Sequence, residues 1–121
     1  MNVIVKIPRK VFGYRQQGFR FTLETWMLLS EYKQLALSDM GLLPDNQFIP
    51  ATWFCAAKCY EMTLGRIPNF TEKDVGKWIE RMATLEAQKI MDCMLQSKIG
   101  GESLMNLIEK SVEEQKKNMA G

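Results

Sequence analysis

The spacing of apolar residues changes along this chain, and each change marks a predicted element. Val3, Val5 and Ile7 alternate with Ile4 and Lys6, the period-2 signature of a half-buried strand, and Pro8 stops it. Lys10 to Tyr14 and Phe19 to Thr22 are two further β-prone runs, rich in aromatic and branched residues. Between them Arg15-Gln16-Gln17-Gly18 predicts a short turn, with Gly18 free to take a positive φ. A lone hairpin is marginal in water, so this small antiparallel sheet must pack on the rest of the chain.

From Thr22 the period becomes helical. Leu28, Leu29, Tyr32, Leu35 and Ala36 share one helix face, with Thr22 as N-cap, Glu24 in the positive first turn and Gly41 as the stop. Leu42 to Ile49 contains Pro44-Asp45-Asn46 and reads as a loop, after which Pro50 fits the first position of a second helix. That helix, Pro50 to Leu64, is apolar on nearly every side, so it is either central or covered by another chain. Gly65 ends it and Pro68 prevents continuation. Thr71 and Asp74 form a near capping box for a third helix carrying Val75, Trp78, Ile79 and Met82. Thr84 caps a fourth, with Ala87, Ile90, Met91, Met94 and Leu95, and the pattern fits two helices or one bent helix equally. Beyond Gly100-Gly101, Leu104, Met105, Ile108 and Val112 form a narrow apolar stripe, and residues 115–121 have no apolar period. The expected fold is therefore α+β and mainly helical: an N-terminal β-hairpin or small antiparallel sheet followed by four to five helices. Residues 1–98 read as one domain, and 99–121 as a Gly-Gly hinge with an amphipathic C-terminal helix and frayed tail.

Composition narrows the function. At 121 residues the chain is one domain with enough surface to bury for a real core. Sixteen Lys and Arg against fourteen Asp and Glu give a net charge of +2, which argues against a polyanion-binding protein. The chain has no histidine, so imidazole bases, His-containing triads and His-metal sites are excluded. Three cysteines, an odd number, point to a reducing compartment rather than a disulfide framework. No apolar run reaches the roughly 18 residues of a membrane span, and the N-terminus lacks a signal pattern.

Candidate chemistry is sparse. Cys55 and Cys59 lie one helical turn apart, but with only Cys93 to add they fall short of the four ligands that structural zinc wants, and core packing is the better reading. Lys58 points to a different side of the helix than Cys55, so no activated thiolate is expected. Glu72 and Asp74 suit a helix first turn, and Gly100-Gly101 is followed by Glu102 where a P-loop needs Lys and Ser or Thr. Lys6, Arg9, Lys10, Arg15 and Arg20 read as charges guarding strand edges. No catalytic group, metal or cofactor is expected.

Aromatic and methionine residues remain. Nine methionines and three tryptophans are core material, and both types also anchor protein interfaces. Trp26, Trp53 and Phe54 on the helices, and the stripe Leu104, Met105, Ile108 and Val112, are the candidate partner-binding residues. A small helical DNA-binding regulator is the alternative, but its candidate recognition helix, Thr71 to Ala83, displays Glu72, Lys73, Lys77, Glu80 and Arg81, a face of mixed sign.

The order of elements also carries a resemblance. Phe19-Arg20-Phe21-Thr22-Leu23 leads from the hairpin into a helix, an Ala56-Ala57 pair sits in the apolar helix, and Phe70-Thr71-Glu72-Lys73-Asp74-Val75 opens the helix holding Trp78-Ile79. Over roughly residues 10–98 this resembles the tail assembly chaperones of long-tailed bacteriophages and prophages. The extra strand at residues 2–7 departs from that pattern. The resemblance implies a homo-oligomeric protein of the host cytoplasm that coats the tape measure protein, recruits tail tube protein and is absent from finished tails. It also implies a longer frameshifted product, with which Gln115-Lys116-Lys117-Asn118 is compatible. A structural subunit of the phage tail or neck is the neighbouring expectation.

Overall fold

The computed structural model describes residues 2–9, 11–36, 44–99 and 102–103. The fold is α+β and mainly helical, as the patterning predicts. Strands β1 (Asn2–Pro8) and β2 (Tyr14–Arg20) pair antiparallel, and helices α1 (Leu23–Lys33), α2 (Asp45–Thr63), α3 (Glu72–Arg81) and α4 (Thr84–Gln96) follow. Two short strands, β3 (Lys98–Ile99) and β4 (Glu102–Ser103), pair antiparallel at the end. Gly100 and Gly101, the predicted hinge, lie outside the described residues. So do the predicted helix stop Gly41 and the partner-binding stripe Leu104, Met105, Ile108 and Val112.

The hairpin turn is not where the sequence placed it. Arg15 to Gly18 lie within β2, paired with Ile4 to Ile7, and the turn runs from Arg9 to Gly13. Pro8 ends β1, the Arg9 N–H donates to the Gly13 carbonyl at 2.9 Å, and Gly13 takes φ +85°. This register puts Val3, Val5 and Ile7 opposite Phe19, Gln17 and Arg15 on the face that is buried along most of its length, while on the other face Asn2, Ile4, Lys6, Tyr14 and Gln16 are exposed and Gly18 is covered. Gly18 serves packing instead. A Cβ there would lie 2.3 Å from ring carbons of Tyr60, so glycine is what lets α2 press against β2.

Helix α2 is central, flanked by β2, α1 and α3. Its buried Ala51, Trp53, Cys55, Ala56, Ala57 and Cys59 explain why its sequence is apolar nearly all round. It starts earlier than predicted, with Pro44 as N-cap and its carbonyl accepting the Gln47 and Phe48 N–H groups, so Pro50 lies inside the helix. Tertiary packing accounts for the extra turn: Phe48 stacks on Trp26, ring centroids 6.4 Å apart. Helix α1 ends at Lys33, with the non-glycine Gln34 as C-cap at φ 55°, so it stops before Leu35 and Ala36, which the pattern places on it, and ahead of the expected stop at Gly41.

The remaining helices follow their sequence signals closely. Thr71 and Asp74 form the predicted capping box, the Thr71 N–H donating to Asp74 Oδ2 at 2.9 Å and the Asp74 N–H to Thr71 Oγ1 at 3.3 Å. Met82 and Ala83 are extended, which separates α3 from α4 and makes them two helices. Ala83, not Thr84, is the N-cap of α4.

A buried polar network joins the sheet to α2. Gln17 Nε2 donates to Glu61 Oε1 at 3.1 Å, and Arg66 Nε donates to Glu61 Oε2 at 2.6 Å. Arg15 donates to Gln17 Oε1 while its guanidinium lies 4.8 Å from the Trp78 ring centroid, so this base belongs to the fold rather than to a free charged edge.

On β1, the Lys6 backbone N–H donates to the Glu86 carboxylate of α4 at 3.1 Å, closing part of a strand edge. That hydrogen bond, with the nearby Lys89 ammonium, holds the Glu86 carboxyl below the usual carboxylate range. A depressed folded pKa means the contribution is present above the unfolded value and is lost as pH falls through the folded one. The Lys6 amide shift should therefore titrate by NMR with a midpoint below that of a free glutamate, and Glu86→Gln should abolish the titration.

Candidate protein-docking site

Trp26 and Trp53 are 0% and 2% exposed, which corrects their assignment as partner contacts. Trp26 packs against Phe21 and Phe48, and Trp53 meets Phe19 edge-on at 6.2 Å. Hydrophobic burial within the chain uses their whole surface, so a partner has nothing left to touch. Phe54 is half-buried between Tyr32 and Phe70, with centroids at 5.4 and 6.1 Å. Of the predicted contact residues within the described part, none forms an open site.

The surface that is open lies beside α2. One furrow, of about 750 Å³, runs between the first turns of α2 and the outer face of α3. Ile49 and Pro50 form one wall, Gly76 and Ile79 the other, and Lys73, Lys77 and Glu80 stand along the rim. Among the described residues, none of these three charges is in an ion pair. Glu72, at the end of the furrow, is fixed: it accepts the Tyr32 hydroxyl at 2.7 Å and faces the Lys33 ammonium at 3.5 Å. Donating to that carboxylate pushes the Tyr32 phenol up to about 12, so it stays protonated at neutral pH and ties α1 to α3.

Gly76 is the unexpected member. It sits in the middle of α3, where glycine costs roughly 1 kcal/mol relative to alanine. A Cβ at this position would meet nothing within 4 Å. Its φ is not positive, so neither intramolecular packing nor backbone geometry requires glycine here. The sequence holds the signal, a glycine inside an otherwise strong amphipathic helix, but Val75 and Trp78, which set the periodicity, face the core and not the furrow.

A second furrow, of about 380 Å³, separates α1 from the last turns of α2. Glu24, Met27, Leu28 and Glu31, spaced i, i+3, i+4 and i+7, line it from α1, and Cys59, Met62 and Thr63 from α2. Met27 and Met62 are each about half exposed. The furrow has an apolar floor and acidic lips.

Neither furrow holds a reactive constellation. Cys59, in the α1–α2 furrow, is buried and its thiol donates to Glu24 Oε2 at 3.8 Å. Away from both furrows, burial pushes the Cys55 thiol up to about 12 and raises that of Cys93, so both remain protonated packing groups at neutral pH. Among the described residues no group of three or more His, Cys, Asp or Glu could hold a metal ion, and no helix is long and apolar enough to cross a membrane. Compared with known proteins, the chain matches no family model, no curated protein and no solved structure.

Proposed function

We propose that the protein is a tail assembly chaperone of the long-tailed phage type, a non-catalytic module of the host cytoplasm. It seats helical segments of the tape measure protein in the α2–α3 furrow, self-assembles along that client and recruits tail tube protein. The observation that carries this reading is Gly76. A glycine that destabilises its own helix and faces open space allows a neighbouring backbone to approach α3 closely, as small residues do where helices pack. The apolar walls Ile49, Pro50 and Ile79 supply the contact area, and a rim of both signs suits a mixed-charge amphipathic helix docked in a groove. Many weak apolar contacts without chemistry are what a holder of aggregation-prone helices needs.

Gly76→Gln separates folding from function. Replacing glycine by a good helix former should raise stability by up to about 1 kcal/mol while filling the furrow. Pull-down with helical fragments of a phage tape measure protein should fall roughly tenfold or more, equivalent to about 1.4 kcal/mol of binding. Capture by wild type that Gly76→Gln leaves unchanged would remove the furrow from the mechanism. Absence of capture by wild type would remove the chaperone reading itself.

A further inference from the structure

The tip of the β1–β2 hairpin has no function within the fold, yet it is the most apolar exposed feature of the sheet. Val11 and Phe12 are 85% and 84% exposed, and Tyr14 at the base of the turn is 65% exposed. Pro8 ends β1 and Gly13 takes the positive φ, while the Val11 and Phe12 side chains are left exposed. Arg9 stands beside them, exposed and in no ion pair among the described residues. Val11, Phe12 and Tyr14 thus present exposed apolar surface beside the Arg9 charge.

The α1–α2 furrow is its complement in shape and in charge. It is concave, floored by Met27, Leu28 and Met62, and lipped by Glu24 and Glu31. At about 380 Å³ it exceeds the roughly 150 Å³ that accommodates a benzene ring, leaving room for Phe12 and a branched neighbour. Methionine walls adapt to such a ring and make favourable sulfur–aromatic contacts. Strand β2 runs seven residues, roughly 20 Å, from the turn to Arg20, and α1 begins three residues later, so the α1 wall of the furrow starts beyond the far end of the ribbon. Val11, Phe12 and Tyr14 stay largely exposed, so the tip does not occupy the furrow of its own chain.

We infer that the hairpin tip of one copy seats in the α1–α2 furrow of a second copy, with Phe12 between Met27 and Met62 and Arg9 toward Glu24 or Glu31. The contact rests on the self-assembling reading above. It is heterologous: each copy offers one knob and one socket, so copies add head to tail and the assembly stays open unless the rotation closes a ring.

Two variants of the full-length protein test it by sedimentation velocity, with far-UV circular dichroism to verify folding. V11S/F12S removes the knob and Met27→Lys spoils the socket, all three at exposed positions. Wild type should form concentration-dependent assemblies, and each variant alone should associate at least roughly tenfold more weakly. Mixed together, the knobless variant still has a socket and the socketless variant still has a knob, so the mixture should form a one-to-one complex and stop there. Wild type that assembles while both variants assemble equally well would overturn the knob-and-socket contact and leave self-assembly standing. A mixture that remains monomeric although each variant is folded would overturn it too. Strictly monomeric wild type would overturn the self-assembling reading from which it grows.

Discussion

Trp53→Ala should unfold the protein under mild conditions rather than yield a folded protein that binds poorly. The indole is 2% exposed, meets Phe19 edge-on and lies on the helix that touches β2, α1 and α3. Truncating a buried tryptophan costs about 3–5 kcal/mol, a large part of the roughly 5–15 kcal/mol that stabilises an ordinary domain. The denaturant midpoint should fall sharply with the slope preserved, because the same surface is exposed on unfolding. A variant with an unchanged midpoint and weakened association would return Trp53 to the interface.

Gly18→Ala should cost about 3 kcal/mol, at the upper end for an added methyl group in a packed site. The new Cβ would fall on the outer half of the Tyr60 ring, and α2 cannot withdraw without straining the Gln17–Glu61 hydrogen bond beside it. Relief is therefore expected from the other partner. In G18A/Y60A the loss should be smaller than the sum of the two single losses, and that non-additivity, read by chemical denaturation, is the signature of a shared contact. Strict additivity would mean that the ring is not what glycine accommodates.

How much of this was legible depends on the range of the cause. The capping box at Thr71 and Asp74 and the strand alternation at Val3, Val5 and Ile7 are local facts, readable from neighbours in the chain. The all-round apolar helix leaves two readings, central or covered by another chain, and its packing against β2, α1 and α3 makes it central. The hairpin turn falls at Gly13, inside a run that reads as β-prone, and not at Gly18. Both glycines are equally permissive in sequence, and it is Tyr60, forty-two residues after Gly18, that gives Gly18 its packing role in place of a turn. The start of α2 was missed for a similar reason, since Pro44-Asp45-Asn46 is turn chemistry until Phe48 finds Trp26. Exposure was the hardest property to read. Tryptophans suggested an interface and proved to be core, whereas Phe12, Met27 and Gly76 owe their exposure to the arrangement of whole elements.

Helix α2 has one more consequence. Its N-terminal turns wall one furrow through Ile49 and Pro50, and its C-terminal turns wall the other through Cys59 and Met62. Nineteen residues make it a rod of roughly 28 Å. The two furrows share no lining residue, so a side chain seated in one leaves the walls of the other untouched.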